Sequence, residues 1–260
     1  MRVSRMTAFL AAAVLAVSAL GAQSLKGMSL NGSTGLYSIP SGRIGWERTS
    51  DFGLDLGYHA IIRNRASHIP KLSVSLFKWV ELSGAVDIQP GDHQSDLIAG
   101  AKIQFPLTNT AIALGGNFQS LNVGNEYYSL NAGQVYLAVT YAGQFFNMPA
   151  ETTVVLGKTF IKDNIDSNID FGMGFDLVLL PKVFEKALHW VTDFANFSYS
   201  ADPFGADFRS RGVLNTGLRV DLSIIPVLSK FKFVVDVLMA DAFDDGRSFS
   251  VGTVFCIPIL

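Results

Sequence analysis

The stretch that decides the fold is residues 52–62, FGLDLGYHAII. Every second side chain from Phe52 to Ile62 is apolar, and the positions between them include two glycines, Asp55 and His59. A period of two is the signature of a β-strand with one apolar face. About ten residues is also the length that a tilted strand needs to cross a bilayer. The stretch therefore predicts a strand with one face towards lipid and the other towards a polar interior.

The same alternation recurs to the end of the chain. It predicts twelve strands, with a range of ten to fourteen, at 51–62, 71–77, 80–88, 96–105, 110–121, 134–145, 152–161, 168–180, 188–200, 212–225, 230–241 and 248–258. The second strand is short and follows Pro70. The ninth overlaps a helical pattern from Val183 to Phe194, which would also suit a short interfacial helix.

The connections between these strands fall into two alternating sets. Long polar ones lie at 63–70, 89–95, 122–133, 162–168, 201–211 and 242–247, and mostly short ones lie between them. Outer-membrane barrels have short periplasmic turns and longer external loops, and an even number of strands. The fold class is therefore an all-β, transmembrane, antiparallel up-and-down barrel with both ends in the periplasm. The three tryptophans fall near the short turns, and Tyr127 and Tyr128 near the loops, as interfacial aromatic girdles would.

Composition agrees with a membrane barrel. The chain of 260 residues is 49% hydrophobic and only 16% charged, with 20 phenylalanines. After the N-terminal region, no run reaches the roughly 18 apolar residues of a spanning helix. The apolar residues are therefore spread in alternation. A net charge of −2 gives no sign of nucleic-acid binding, and the single cysteine, Cys256, excludes an internal disulfide.

The N-terminal region has the pattern of a signal peptide. Arg2 and Arg5 precede the apolar stretch Ala8 to Leu20, which is too short to span a membrane, and small residues follow it. The alternative is an N-terminal membrane anchor. We expect residues 1–22 to be the signal peptide, 23–50 a periplasmic or lumen segment, and 51–260 the barrel.

Residues 23–50 are rich in Gly and Ser but contain apolar residues at 36, 37, 39, 44 and 46. A disordered leader does not need these residues. The segment could add a strand to the barrel or lie inside its lumen.

The inward face should hold any functional residues. Twelve candidates fall on the non-lipid face of the predicted strands: Asp55, His59, Glu81, Asp87, Asp96, Lys102, Asp170, Asp176, Arg219, Asp221, Lys232 and Asp236. Either these charges form ion pairs that hold a plugged barrel shut, or they line a channel for small polar solutes. The excess of carboxylates would favour cations or neutral solutes. Glycines leave space in the lumen, at 53, 57, 84, 100, 115, 157, 172, 174, 217 and 252.

Catalysis is not indicated. Asp55 and His59 could form an acid–base pair, although such pairs are more often structural. The sequence has no G-x-S-x-G motif and no metal-spaced cluster. His68 and His93 fall in neighbouring external loops and could share a metal, although two exposed histidines more often have no such role. We expect no enzymatic activity, no cofactor and no metal.

Residues 35–43, Gly-Leu-Tyr-Ser-Ile-Pro-Ser-Gly-Arg, followed by a strand with Gly53, Gly57 and Tyr58, resemble the opening of several outer-membrane barrels. The motif is similar to the GL-x-x-x-P-x-x-R start of YjbH-type barrel proteins, and to small outer-membrane barrels of spirochaetes. The match covers about 25 residues, and it implies location and fold but no substrate. Barrels of this kind end in Phe or Trp, whereas this chain ends Cys-Ile-Pro-Ile-Leu, so either the assembly system differs or the last strand ends before Pro258.

The sequence thus predicts a porin-like barrel of the outer membrane, exported by a signal peptide, that acts as a passive channel for small polar solutes. Its expected partners are outer-membrane lipid, the assembly machinery during insertion and the solutes, without nucleic acid. The alternative is a plugged structural or surface-interaction barrel whose external loops contact a host or the environment. A lipid-acting barrel enzyme and a soluble periplasmic β-protein are further hypotheses.

Overall fold

The computed structural model describes residues 27–46, 51–63, 66–89, 95–122, 129–161, 169–196, 212–228, 231–243 and 246–259. Twelve antiparallel strands close into one barrel. Their bounds are β1 (Phe52–Ile62), β2 (Ala66–Leu76), β3 (Val80–Ile88), β4 (Ser95–Pro106), β5 (Thr110–Asn122), β6 (Ser129–Phe145), β7 (Met148–Ile161), β8 (Asp170–Val178), β9 (Leu188–Ala195), β10 (Val213–Asp221), β11 (Lys232–Ala240) and β12 (Ser248–Ile259). Two short 3₁₀ helices, Leu222–Ile224 and Pro226–Leu228, lie between β10 and β11. In the described part of the chain, no helix is long and apolar enough to cross a membrane.

Each strand pairs with its neighbours in sequence, and β1 pairs with β12 to close the sheet. This last ladder runs from Phe52 opposite Ile259 to Ile62 opposite Phe249. Closure leaves no free sheet edge, which a barrel in lipid requires. The predicted antiparallel up-and-down barrel of about twelve strands is confirmed. The last strand continues through Pro258, which lies opposite Gly53, so it does not end before that proline.

The two faces of the wall differ sharply. Outward positions carry large exposed side chains such as Leu56, Leu97, Leu114 and Leu137. The residues between them point inwards and are buried, as the alternating burial of β1, β2 and β4 shows. A continuous apolar outer surface of this extent suits lipid rather than water.

The barrel has two distinct ends. We call the turn end the one where β1 starts and β12 ends; its connections are 77–79, 107–109, 146–147, 179–187 and 222–231. We call the other the loop end; its connections are 63–65, 89–94, 123–128, 162–169, 196–212 and 241–247. The predicted sorting by length holds only in part, because the first connection at the loop end has three residues and the fourth at the turn end has nine.

The predicted long loop at 63–70 and short strand at 71–77 are wrong, because β2 starts at Ala66. Pro70 lies inside this strand, opposite Tyr58 of β1. On its other side, the ladder to β3 pairs His68 and then Lys71, and it skips the two residues between them. Proline has no N–H to donate, so the interruption falls where it costs least.

The helical alternative for the ninth strand is also wrong, because β9 is a regular strand that pairs with β8 and β10. It ends at Ala195, earlier than predicted. Tyr127 and Tyr128 of the predicted girdle lie outside the described residues. Trp79 and Trp190 are exposed near the turn end, but Trp46 is buried inside the barrel.

Residues 27–46, which we call the lumen segment, lie inside the barrel, and all of them are buried. Two isolated bridges fold the segment back on itself, Met28 with Thr34 and Gly35 with Pro40. Gly32 turns the chain with a φ of 86°, and a Cβ there would lie 2.4 Å from the main-chain oxygen of Gly84 in the wall. Only glycine suits both the left-handed conformation and this close approach.

The apolar side chains of the lumen segment share a core with the wall. Leu36 and Ile39 belong to one cluster with Ile69, Val155 and Leu238 of the strands. The lumen segment and the wall therefore share one hydrophobic core inside the barrel.

Candidate functional site

Where the lumen segment passes, several inward positions of the wall are glycines. A Cβ at Gly53 would lie 1.8 Å from Trp46 Cδ1, and one at Gly172 would lie 2.5 Å from Ile39 Cγ2. The side chains of the wall therefore leave room that the segment occupies. Most of the glycines predicted to open the lumen share this inward face, but Gly84 does not, since it lies between the inward-facing Ser83 and Ala85.

Glu81 of β3 holds the lumen segment by four hydrogen bonds. Its carboxylate accepts hydrogen bonds from the N–H of Thr34 (2.9 Å), the hydroxyl of Thr34 (2.6 Å), the hydroxyl of Ser33 (2.8 Å) and the N–H of Gly45 (3.1 Å). Lys102 lies directly opposite on β4 and pairs with Glu81 at 3.1 Å. The lysine also donates to the carbonyls of Thr34 and Ser41. This ion pair thus binds both main-chain groups of Thr34.

Two further wall residues bind successive main-chain groups. Asp193 of β9 accepts from the N–H groups of Tyr37 and Ser38, each at 2.8 Å, and from the hydroxyl of Ser38. Lys71 of β2 donates to the carbonyls of Met28 (2.9 Å) and Ser29 (3.1 Å). A buried irregular segment must have its main-chain groups satisfied, and the wall supplies the partners.

The end of the lumen segment is fixed near the turn end. The indole N–H of Trp46 donates to Asp55 at 2.7 Å, and Lys232 lies 3.4 Å from both Asp55 and the carbonyl of Gly45. Because Trp46 is nine per cent exposed and faces the lumen, its predicted place in a lipid-facing girdle is wrong.

Arg43 is the one charged side chain among residues 27–46. Its Nε lies 3.0 Å from the carboxylate of Glu151 on β7. On either side of Arg43, the N–H of Gly42 donates to Thr140 and the N–H of Ile44 donates to Gln104.

A second ionic cluster lies on β8 to β11. Arg219 donates to Asp236 at 2.7 Å and to Asp176 at 3.2 Å, and Asp176 also pairs with His189. A Cβ at Gly27 would lie 1.9 Å from Arg219 Nη2, so the lumen segment starts directly against this cluster. The cluster neutralises charge in the wall and contacts the segment at its first described residue.

The predicted lumen-facing residues divide by what they touch. Asp55, Glu81, Lys102 and Lys232 bind the lumen segment. The others contact residues outside the lumen segment. His59 meets Lys71 and Asp236, Arg219 meets Asp176 and Asp236, and Asp87 meets Ser67. Asp170 meets Thr159 and Gln134, and Asp221 meets Ser223. Asp96 lies opposite Asp87, and all twelve are buried except the half-buried Asp170.

Several residues of the site were missed by sequence reasoning: Lys71, Gln104, Thr140, Glu151, His189 and Asp193. Lys71 fell at the edge of a strand that was placed too late, and Asp193 fell in the segment that also matched a helix. Strict application of the period-two rule from Ser67 to Ser75 would have placed Lys71 on the inward face.

The two acid–base candidates, Asp55 and His59, have different partners. His59 meets Lys71 and Asp236, whereas Asp55 is engaged with Trp46 and Lys232. His68 stacks on Tyr58, and His93 lies outside the described residues. Among the residues that the structure describes, no three His, Cys, Asp or Glu side chains come together as a metal site.

Comparison with known proteins gives a fold and no family. No protein-family model matches the chain, and no curated protein does. Among solved structures, the KdgM porin is similar, with a TM-score of 0.51 at 9% identity over 79% of this chain and 99% of that one. An outer membrane channel from Pseudomonas putida F1 (TM-score 0.44, 10% identity, 81% and 96% covered) and Omp33 from Acinetobacter baumannii (0.38, 11%, 81% and 98%) are also similar. The chain has the fold of bacterial outer-membrane β-barrel porins.

Proposed function

We propose that this protein is a porin-like channel of the bacterial outer membrane, closed while residues 27–46 lie in the lumen and open to small polar solutes when they leave. The observation that carries this proposal is that residues 27–46 fill the barrel. Glycines in the wall leave the room that this segment takes. A barrel that served only as a scaffold could be filled by its own large side chains.

The similarity to porins supports the same proposal, since these barrels are built around a lumen. We extend it to the predictions on targeting and partners: residues 1–22 direct export, the assembly machinery inserts the barrel, and lipid surrounds its apolar face. The protein acts without catalysis. The resemblance of residues 35–43 to YjbH-type and spirochaete barrels is part of this proposal.

A permanently plugged surface-interaction barrel is the second candidate. It is favoured by the density of contacts between wall and segment, above all the four hydrogen bonds to Glu81. In this case the segment would never leave, and the loops would carry the function.

A disulfide between the lumen segment and the wall, which can be formed and reduced again, separates the two candidates. The Cβ of a residue at 172 would lie 3.6 Å from the Cβ of Ile39, within the usual range of about 3.5–4.5 Å for a disulfide. In the variant Ile39→Cys/Gly172→Cys, the pair can therefore tie the lumen segment to β8. Ala195, whose Cβ would be 3.2 Å away, must shift slightly.

Single-channel currents of this full-length variant, recorded in a planar bilayer, give the result. We expect discrete openings under reducing conditions and silence after oxidation. The control Gly172→Cys keeps the native Cys256, which is buried, and its currents should not respond to oxidation. A folded barrel that stays silent when reduced would refute the channel and leave the plugged barrel.

A further inference from the structure

The wall binds the lumen segment mainly through the segment's main chain. Glu81 accepts the N–H of Thr34, while Lys102, 3.1 Å from Glu81, donates to the carbonyl of the same residue. Gly45 is held in the same way, since its N–H meets Glu81 and its carbonyl meets Lys232. One carboxylate and two ammonium groups thus bind the N–H and the carbonyl of two residues, Thr34 and Gly45.

Successive peptide groups are bound elsewhere in the lumen. Asp193 takes the adjacent N–H groups of Tyr37 and Ser38, and Lys71 takes the adjacent carbonyls of Met28 and Ser29. Hydrogen bonds in which one partner is charged are stronger than neutral ones. The wall therefore presents fixed charges to adjacent main-chain groups of a folded, irregular peptide.

Most of the residues bound in this way have small side chains, and Met28 and Tyr37 are the exceptions among them. The residues bound through their main chain include glycine, serine and threonine, and the hydroxyls of Ser33, Thr34 and Ser38 share the same carboxylates. Among the larger polar side chains of the described segment, Trp46 donates to Asp55, Arg43 pairs with Glu151, and the Tyr37 ring packs edge-on against His59. Most of the recognition would be available to any short peptide of small residues.

We propose that the solutes taken up by this lumen are short peptides with small, uncharged side chains, for which residues 27–46 are the resident substitute. This inference rests on the proposed channel, because a peptide can enter only after the segment has left. The wall would bind a peptide's N–H groups at Glu81 and Asp193 and its carbonyls at Lys71 and Lys102.

The test uses the full-length Ile39→Cys/Gly172→Cys variant in its reduced, conducting state. The probe is the tetrapeptide Gly-Ser-Thr-Gly, the sequence of residues 32–35, and the reference is maltose, a neutral solute of similar mass. We expect the peptide to interrupt the current in resolvable blocks and maltose at the same concentration to leave it unchanged.

Two substitutions in this background locate the binding. Asp193→Asn removes a charged acceptor and should shorten the blocked time about tenfold, as the loss of one charge-assisted hydrogen bond implies. Asp51→Asn removes an exposed carboxylate at the turn end and should leave the blocked time unchanged.

The outcomes distinguish the two proposals. If peptide and maltose interrupt the current equally, or if Asp193→Asn has no effect on the peptide, the channel stands and the solute class is wrong. If no current is seen in the reduced state, the channel is refuted and the solute class with it.

Discussion

Replacing Glu81 by glutamine removes the charge of a carboxylate that accepts four hydrogen bonds from the lumen segment. Each carboxylate oxygen accepts two hydrogen bonds from the segment: Oε1 from Ser33 and the Thr34 N–H, Oε2 from the Thr34 hydroxyl and the Gly45 N–H. Glutamine keeps one acceptor oxygen, so two bonds lose their acceptor, and buried Lys102 loses its counter-ion at 3.1 Å. Removing one partner of a buried ion pair costs about 3–5 kcal/mol. We expect the free energy of unfolding to fall by this amount.

The assay is urea unfolding of the full-length protein in lipid vesicles, followed by tryptophan fluorescence. Asp51→Asn is the matched control, because it breaks an ion pair with Lys78 at the surface. The side chain of Asp51 is 67% exposed and that of Lys78 is 41% exposed. An exposed pair contributes about 1 kcal/mol or less. The double variant Glu81→Gln/Lys102→Met should cost less than Glu81→Gln alone, because it leaves no unpaired buried charge.

A value for Glu81→Gln within about 0.5 kcal/mol of the unmodified protein, the usual size of a surface effect, would refute the reasoning. It would mean that Glu81 faces water in the lumen and does not hold residues 27–46.

Three further substitutions test other parts of the structure. Gly53→Leu would place a Cβ 1.8 Å from Trp46 Cδ1, so it should cost about 1–3 kcal/mol in urea unfolding and shift the tryptophan emission to the red; an unchanged spectrum would contradict this packing. Leu137→Arg puts a charge on the outer face midway along β6 and should cost about 2–4 kcal/mol, well above Leu137→Ala; equal costs would mean that this face does not meet lipid. Arg219→Met leaves Asp236 without its partner at 2.7 Å and should lower the free energy of unfolding by about 3–5 kcal/mol. Adding Asp236→Asn to the same chain should restore part of this loss, and additive losses would argue against the ion pair.

The barrel could be predicted from the sequence because lipid outside and polar groups inside impose one strict period. In β1, the apolar positions from Phe52 to Ile62 are the outward ones. The period was obscured where a residue typical of loops lies within a strand. Pro70 is tolerated in β2 because the ladder to β3 is interrupted beside it, and this interruption depends on a neighbouring strand rather than on local sequence.

The contents of the lumen could be predicted only as alternatives. Inward glycines indicate space, and the apolar residues of 27–46 indicate burial, but neither pattern says that Ile39 fills the space at Gly172. The partners of Glu81 in the lumen segment are 36 to 48 residues away in sequence, and Tyr37 is 156 residues away from Asp193. Contacts of this range depend on the register of the closed barrel, which no single segment encodes.

The central claim is that residues 27–46 are a folded part of the barrel interior, and hydrogen exchange of their main-chain amides tests it most directly. In the full-length protein in lipid vesicles, mass spectrometry of peptides from this segment should show the amides of Thr34, Tyr37, Ser38 and Gly45 exchanging as slowly as those of β1, because each donates to a buried wall carboxylate. Exchange of these amides at the rate of an unstructured chain, while β1 remains protected, would contradict the occupied lumen.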